Sequence, residues 1–404
     1  MDRLPPQPWM TAPATRAVVA ALEAEGAGVR FVGGCVRDAL LGRAIRDVDI
    51  ATPDPPDKVL ALLKRAGLKA VPTGLAHGTV TAVSGHRPFE ITTLRHDVET
   101  FGRHARVAFT DDWRADAARR DFTFNALSLE PDGALHDYFG GIEDLRAGRV
   151  RFVGEARRRI AEDYLRLLRF FRFFAFYGRG APDAEALAAA AEAAPQLTRL
   201  SGERVRAELF RLLEAPDPVP VLRLMTGHRI LAAELPEAGD PGTVARLLPV
   251  EGAGAPDPLL RLAAWLETDA AGAGSVAERL RLSNAERLRL AVLVAPPLPV
   301  SAGETRERLR VACHRLGSER VADLLRLAAA RSGSSVGLEA ALAVVDGWVP
   351  AALPVKGRDL ATLGMPPGPE MGRLLDELEG CWTKSDFTLD RDVLMAIAAR
   401  ILRR

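Results

Sequence analysis

Asp47 and Asp49 stand one residue apart in the run GGCVRDALLGRAIRDVDIAT, residues 33–52. Residues two apart on a strand share a face, so a strand through Asp47-Val48-Asp49-Ile50 turns both carboxylates one way and Val48 and Ile50 the other. Neighbouring carboxylates repel unless a cation sits between them. Hard oxygen ligands so arranged suit Mg²⁺ bridged to triphosphate oxygens; a surface strand alternating acid and apolar residues is the plainer reading. Gly33-Gly34 favours the nucleotide. A glycine pair between strand and helix lets the backbone approach a phosphate, whose charge a helix N-terminus favours. Arg37, in the first helical turn, opposes the helix dipole and is better explained by a ligand anion. The third glycine and ribose acid of a dinucleotide site are out of place, and an ordinary turn is the other reading of the pair.

In-line phosphoryl chemistry wants a third carboxylate. Glu90, in PFEITTL, faces away from Phe89 and Ile91 if that stretch is a strand, as an exposed strand glutamate also would. Arg119-Arg120-Asp121-Phe122-Thr123-Phe124-Asn125 gathers two guanidiniums, a carboxylate and an amide, a set able to hold a triphosphate and ribose hydroxyls or to form a salt-bridged corner. In EDYLRLLRFFRF, Asp163, Arg166, Arg169 and Arg172 recur every three residues, which on a helix makes consecutive members neighbours on one stripe. The same spacing describes a core helix with ion pairs along it, and Phe170, Phe171, Phe173, Phe174 and Phe176 read as packing.

The elements that position these groups change character along the chain. At 404 residues it is long enough for roughly two or three domains. Val29 to Val32, Asp47 to Ala51, Gly78 to Val83 and Phe89 to Leu94 read as strands; Val36 to Leu41 and Lys58 to Ala66 read as helices. His96 to Trp113 reads as a polar loop. After about residue 155 strand signals vanish and helical spacing runs to the end, so the fold class is α+β rather than a doubly wound sheet. Net charge is +1, which does not advertise nucleic acid, yet Arg146 to Arg172 holds nine arginines against Glu155, Glu162 and Asp163. Such a stripe suits RNA or nucleotide phosphate, or a solvated helix face. No apolar run approaches the roughly 20 residues of a membrane span. MDRLPPQPWM has no signal-peptide core, and Cys35, Cys313 and Cys381 are too scattered for a disulfide framework or paired-cysteine zinc site. A cytoplasmic protein is expected.

GGCVRDALLG-x₄-DVDIAT, FEITTLR, RRDFTFNAL, DYFGGIEDLRAGRVRFVG and EDYLRLLRFFRF, in this order, closely resemble the class II tRNA nucleotidyltransferase (CCA-adding enzyme) family, to which bacterial poly(A) polymerases also belong. The likeness is dense over residues 28–215 and thins beyond, where KGRDLATLGMPPGPEMGRLLDEL still looks like the family's tail. It implies a polymerase-β-like nucleotidyltransferase head (1–150), a helical neck that reads the base (151–216), a helical body (217–300) and a helical tail that binds tRNA (301–404). It implies Asp47 and Asp49 as Mg²⁺ ligands, with Glu90 as third catalytic carboxylate. Gly33, Gly34, Arg37, Arg120, Asp121, Asn125, Asp163, Arg166, Arg169 and Arg172 are then the nucleotide-binding set. Phe124, where relatives usually carry Ile or Val, is apolar for apolar.

In the family the residues matching Asp163 and Arg166 read the incoming base. Cytosine and adenine both present an amino donor beside a ring-nitrogen acceptor, which an acceptor-only carboxylate beside a donor-only guanidinium complements. Uracil and guanine reverse the pattern, a mispairing worth on the order of 10⁴-fold. The expected partners are therefore CTP, ATP and tRNA, gripped at its acceptor stem and elbow, with no membrane; the sequence does not set an oligomeric state. A poly(A) polymerase or a partial CC- or A-adding enzyme is the alternative. The segment His96 to His104 matches a mobile loop that enzymes adding only the two cytidines lack intact, which favours complete CCA addition. His77 matches a family position and is read as structural. His228 and His314 are not followed by Asp, so no phosphohydrolase is expected.

Overall fold

The computed structural model describes residues 3–75, 78–101, 104–252 and 254–403; His77 lies outside them. The chain forms two compact units, Met1–Pro236 and Glu237–Arg404. The first ends nineteen residues beyond 217, where the body was expected to start, and its helix Val219–Gly227 packs against the helix Leu165–Tyr177.

The strands are β1 (Arg30–Val32), β2 (Asp49–Thr52), β3 (Lys69–Gly74), β4 (Thr79–Ser84), β5 (Arg87–Thr93), β6 (Arg95–Phe101), β7 (His104–Phe109), β8 (Ser128–Leu129) and β9 (Leu135–His136). Among the described residues seven build one mixed sheet in the order β3-β4-β5-β2-β1-β8-β9, with β2 and β5 parallel and the other pairs antiparallel. Its register aligns an apolar row, Val80–Ile91–Ile50–Phe31–Leu129, every member nearly inaccessible to water. The row packs under the helices Pro13–Glu23 and Pro56–Arg65 through Val18, Leu22, Val59 and Leu63. With period-two alternation, the next register row, Asp49–Glu90–Thr81, must point to the opposite face. Burial of the apolar row thus presents the carboxylates.

Two expectations need correction. β2 starts at Asp49, not Asp47, so only Asp49 of the pair is held by a sheet ladder. The stretch read as a polar loop is the antiparallel hairpin β6–β7. Val98, Thr100 and Phe101 precede a glycine, with Val107 and Phe109 after it, a hairpin pattern that the surrounding charges obscure.

From Ala156 onward the described chain is helical apart from one isolated bridge, Ala238 to Leu266. EDYLRLLRFFRF is not one helix. The helix Ala156–Glu162 stops at Asp163, whose backbone is extended (φ −154°, ψ 108°), and Leu165–Tyr177 starts anew. The carboxylate of Asp163 accepts the Leu165 N–H at 3.2 Å, the capping competition by which aspartate ends helices. Head and neck share one aromatic core: Phe122 and Phe124 meet Phe173 with ring centroids 5.2 and 5.5 Å apart, and Phe152 lies between Phe122 and Phe170. The second unit has its own core, including Leu360, Leu378, Trp382 and Leu394. Among the described residues no helix is long and apolar enough to cross a membrane.

Phe152 is 2% exposed and has aromatic neighbours on both sides. Phe152→Ala should destabilise the first unit by about 3–5 kcal/mol, read as a lowered midpoint in urea unfolding.

Candidate active site

A cleft of about 600 Å³ opens in the first unit, lined by Gly33, Gly34, Arg37, Asp49, Arg120, Asp121, Asn125, Asp163, Arg166, Arg169 and Arg172. Sequence motifs up to 139 residues apart converge here. Asp47 and Glu90 are exposed and not part of the lining. A hollow of about 980 Å³ in the second unit has no such cradle, and its Arg289 is spent on Asp257 and Asp323.

Gly33 has φ +71°, and a Cβ there would meet Arg120 Nη1 at 3.1 Å and Asp49 Oδ2 at 4.0 Å. Glycine keeps that corner open to a guanidinium, a carboxylate and whatever lies between them. Asp49 is pushed up to about 6, by burial first and then by the charge of Glu90; Arg120 opposes this and Asp47 adds to it. Its register partner across the β2–β5 pair is Glu90.

This donor set suits a divalent cation: the candidate ligands are all hard oxygens, and a cation would offset both the burial of the Asp49 carboxylate and its repulsion by Glu90. Asp47, Asp49 and Glu90 would hold it. Among the described residues no three His, Cys, Asp or Glu side chains are gathered closely enough to enclose a metal.

Asp121 and Asn125 are buried and serve the guanidiniums. Asp121 accepts the Phe122 N–H at 2.8 Å and Asn125 Nδ2 at 3.0 Å, and pairs with Arg169 at 2.6 Å. Burial is the largest effect and works to raise its pKa, but Arg169 and the hydrogen bonds from Asn125 and the Phe122 N–H together hold it below the usual carboxylate range. Asn125 Oδ1 accepts Arg37 Nη1 at 2.8 Å. Arg37, expected to answer a ligand anion, is already forked onto Asp38 at 2.9 and 2.8 Å and is nearly buried. Its helix, Gly34–Leu40, is so short that Arg37 falls in the last turn, so the dipole conflict expected of it does not arise.

The predicted Asp163–Arg166–Arg169–Arg172 stripe is not a ladder of mutual ion pairs. Arg166 pairs with Glu162 at 2.5 Å, Arg169 with Asp121, and Arg172 with Glu208 at 2.6 Å. Asp163 is held by Arg204 at 2.7 Å. Arg204 and Arg211 also line the cleft, and neither they nor Glu208 were singled out in the sequence. The signal was there: GERVRAELFRLL places Arg204, Glu208 and Arg211 at i, i+4 and i+7, one face of the helix Gly202–Leu213, opposite buried Val205, Leu209 and Leu212. Arg119 is a further lining residue, pushed down to about 10 chiefly by burial and so still cationic at neutral pH.

The arrangement offers an anion cradle with carboxylates at its glycine corner, and a carboxylate and a guanidinium on a neck that helix pairing holds still. The Poly A polymerase head domain family matches residues 29–151, and the family described as a probable RNA and SrmB-binding site of polymerase A matches 181–240. The chain is 36% identical over 379 residues to the mitochondrial CCA tRNA nucleotidyltransferase 1 of Danio rerio, covering 91% of this chain and 86% of the relative. It is 39% identical over 211 residues to the CCA-adding enzyme of Geobacillus stearothermophilus, 52% of this chain and 51% of that one. The crystal structure of the Bacillus stearothermophilus CCA-adding enzyme in complex with CTP superposes with a TM-score of 0.77 at 28% identity, over 97% of this chain and 98% of the other.

Asp49 has a titration consequence. Its folded pKa of about 6 exceeds the ordinary 3.8, so the native state keeps a proton that the unfolded chain gives up. Stability from this group falls as pH rises between those values, and the cost is fully present above them. Carboxyl NMR of metal-free protein should place the Asp49 midpoint near 6. Glu90→Gln should lower it, and added divalent cation should lower it further; an ordinary midpoint insensitive to both contradicts the coupling.

Proposed function

The chain belongs to the CCA tRNA nucleotidyltransferase family, and we propose that it adds C, C and A to the 3′ end of tRNA from CTP and ATP without a template, releasing pyrophosphate at each step. One observation carries the reading. A single cleft joins Gly33, Gly34 and Asp49 to Asp163 and Arg166. The phosphate cradle and a donor–acceptor pair suited to a base thus face one ligand.

Gly33 and Gly34 let the triphosphate approach the backbone, with Arg37 and Arg120 balancing its charge. Asp163, with one oxygen on Arg204 and the other on the Leu165 N–H, retains lone pairs for the amino group shared by cytosine and adenine. Arg166, fixed by Glu162 and by the Arg159 carbonyl at 3.0 Å, donates to the ring nitrogen. Uracil and guanine would set oxygen against Asp163 and N–H against Arg166. Asp47, Asp49 and Glu90 are assigned to Mg²⁺. Two such ions bound there would supply activation of the RNA 3′-hydroxyl and neutralisation of the triphosphate.

Residues 1–150 are assigned as head, 151–216 as neck, 217–300 as body, and 301–404 as the tail that holds tRNA by shape and backbone. The head assignment is supported by the family match ending at residue 151. The reaction is placed in the cytoplasm, a reading supported by three free cysteines; the Danio rerio relative is mitochondrial by name.

A poly(A) polymerase is the second reading, because the matching head family is named for that activity. A tRNA transcript lacking CCA, incubated with CTP and ATP, decides between them. The proposal expects exactly three added residues in the order C, C, A; long A tails without C would contradict it. Asp49→Asn should cut CMP and AMP addition together, on the order of 10²–10³-fold or more, with tRNA binding retained in a filter assay. Asp163→Ala with Arg166→Ala should raise UMP and GMP incorporation relative to CMP and AMP.

A further inference from the structure

Arg37 reaches the cleft from the head, but the neck helix sets its position. The Tyr177 hydroxyl, in the last turn of Leu165–Tyr177, donates to Asp38 Oδ1 at 2.9 Å. Asp38 in turn forks Arg37 through Nε and Nη2. The Tyr177 ring lies 4.5 Å from the Arg37 guanidinium and 4.5 Å from that of Arg43, so two cations flank one phenol. Arg43 also donates to the Phe176 carbonyl at 3.0 Å. From Arg37 the path runs through Asn125 and Asp121 to Arg169, on the same neck helix as Tyr177. Eight residues, about 12 Å of helix, separate the two anchors. The ring of contacts is closed.

We infer that Tyr177 is a positioning residue for the incoming nucleotide: through Asp38 it aims Arg37 at the triphosphate and fixes that end of the cleft relative to the base-reading end of the same helix. Arg37 has five N–H donors, of which the Asp38 fork and Asn125 use three. The remaining two hydrogens, on Nη1 and Nη2, are left for phosphate, and a Cβ on Gly34 would come within 3.7 Å of Nη2. An arginine presents those hydrogens usefully only if its plane is held, and here Asp38 and the two rings of Tyr177 and Phe173 hold it. Burial raises the Tyr177 pKa and the Asp38 charge raises it further, so the phenol is a donor throughout the physiological range. Because the contact acts on phosphate and not on base, it serves CTP and ATP alike.

The inference rests on the reading that Arg37 faces the triphosphate, and the test separates the two. Steady-state addition to defined tRNA transcripts is measured for wild type, Arg37→Gln, Tyr177→Phe, Tyr177→Leu, Asp38→Asn and Tyr177→Phe with Asp38→Asn. Tyr177→Phe keeps the ring and loses the hydrogen bond. It should raise KM for CTP and for ATP equally, by about three- to tenfold, with kcat, the KM for tRNA, the Tm and rejection of UTP and GTP little changed. Tyr177→Leu, which loses the ring as well, should raise both KM values further. The double variant should be no worse than Asp38→Asn alone, since both remove one path. Wild-type KM values in Tyr177→Phe, while Arg37→Gln raises them, overturn the inference and leave the phosphate reading intact. Additive effects in the double variant, or a change confined to one nucleotide, also overturn it. Wild-type KM values in Arg37→Gln overturn the phosphate reading itself.

Discussion

The ion pair of buried Asp121 with half-buried Arg169 joins the helix Leu165–Tyr177 to the sheet domain, and the cleft is built outward from it. Eight arginines line this one cleft with three aspartates, and guanidiniums so crowded would splay unless each had an anchor. Asp121 sends one path through Asn125 to Arg37 and another through Arg169 toward Glu208 and Arg172. Removing Arg169 would strand the buried Asp121 carboxylate without its cation. These contacts keep cationic side chains aimed and separated before a polyanion arrives, so little reorganisation is left for the moment of binding.

The proposed specificity would follow from the same economy of anchors. A helix running through Asp163 would have pinned its side chain to the helix surface. Ending the helix there frees the backbone, and Leu165 N–H and Arg204 take over the orientation of the carboxylate. Arg166, in the first turn of the next helix, is held by Glu162 and by carbonyls of residues 119 and 159. Fixed donors and acceptors discriminate by what they leave unpaired, and a template is not needed for that.

Much of the chemistry was legible locally. The Asp47/Asp49 spacing, the glycine pair and the apolar alternation of β1, β2, β4 and β5 are short-range patterns, and the sheet register then sets Asp49 against Glu90. The stretch to which base reading is assigned stood out in the sequence, but its geometry did not. A three-residue spacing looks helical whether or not an aspartate caps within it. The partners that matter most lie far away in sequence: Arg204 is 41 residues from Asp163, and Glu208 is 36 from Arg172. No local period reports such pairs. The β6–β7 hairpin was missed for the opposite reason, since its charges masked a regular strand pattern. The compact division after Pro236 depends on packing of the helix Val219–Gly227, which proline-rich breaks at 216–220 do not reveal.

If base choice resides in a carboxylate held still by a neighbouring helix, loosening the holder should relax the choice without touching either reading group. The measurement is the kcat/KM of CTP, ATP, UTP and GTP for wild type and Arg204→Ala on the same tRNA transcripts. The account predicts that UTP and GTP gain on CTP and ATP by about tenfold or more in the variant. A uniform loss for all four nucleotides, with selectivity preserved, would contradict it.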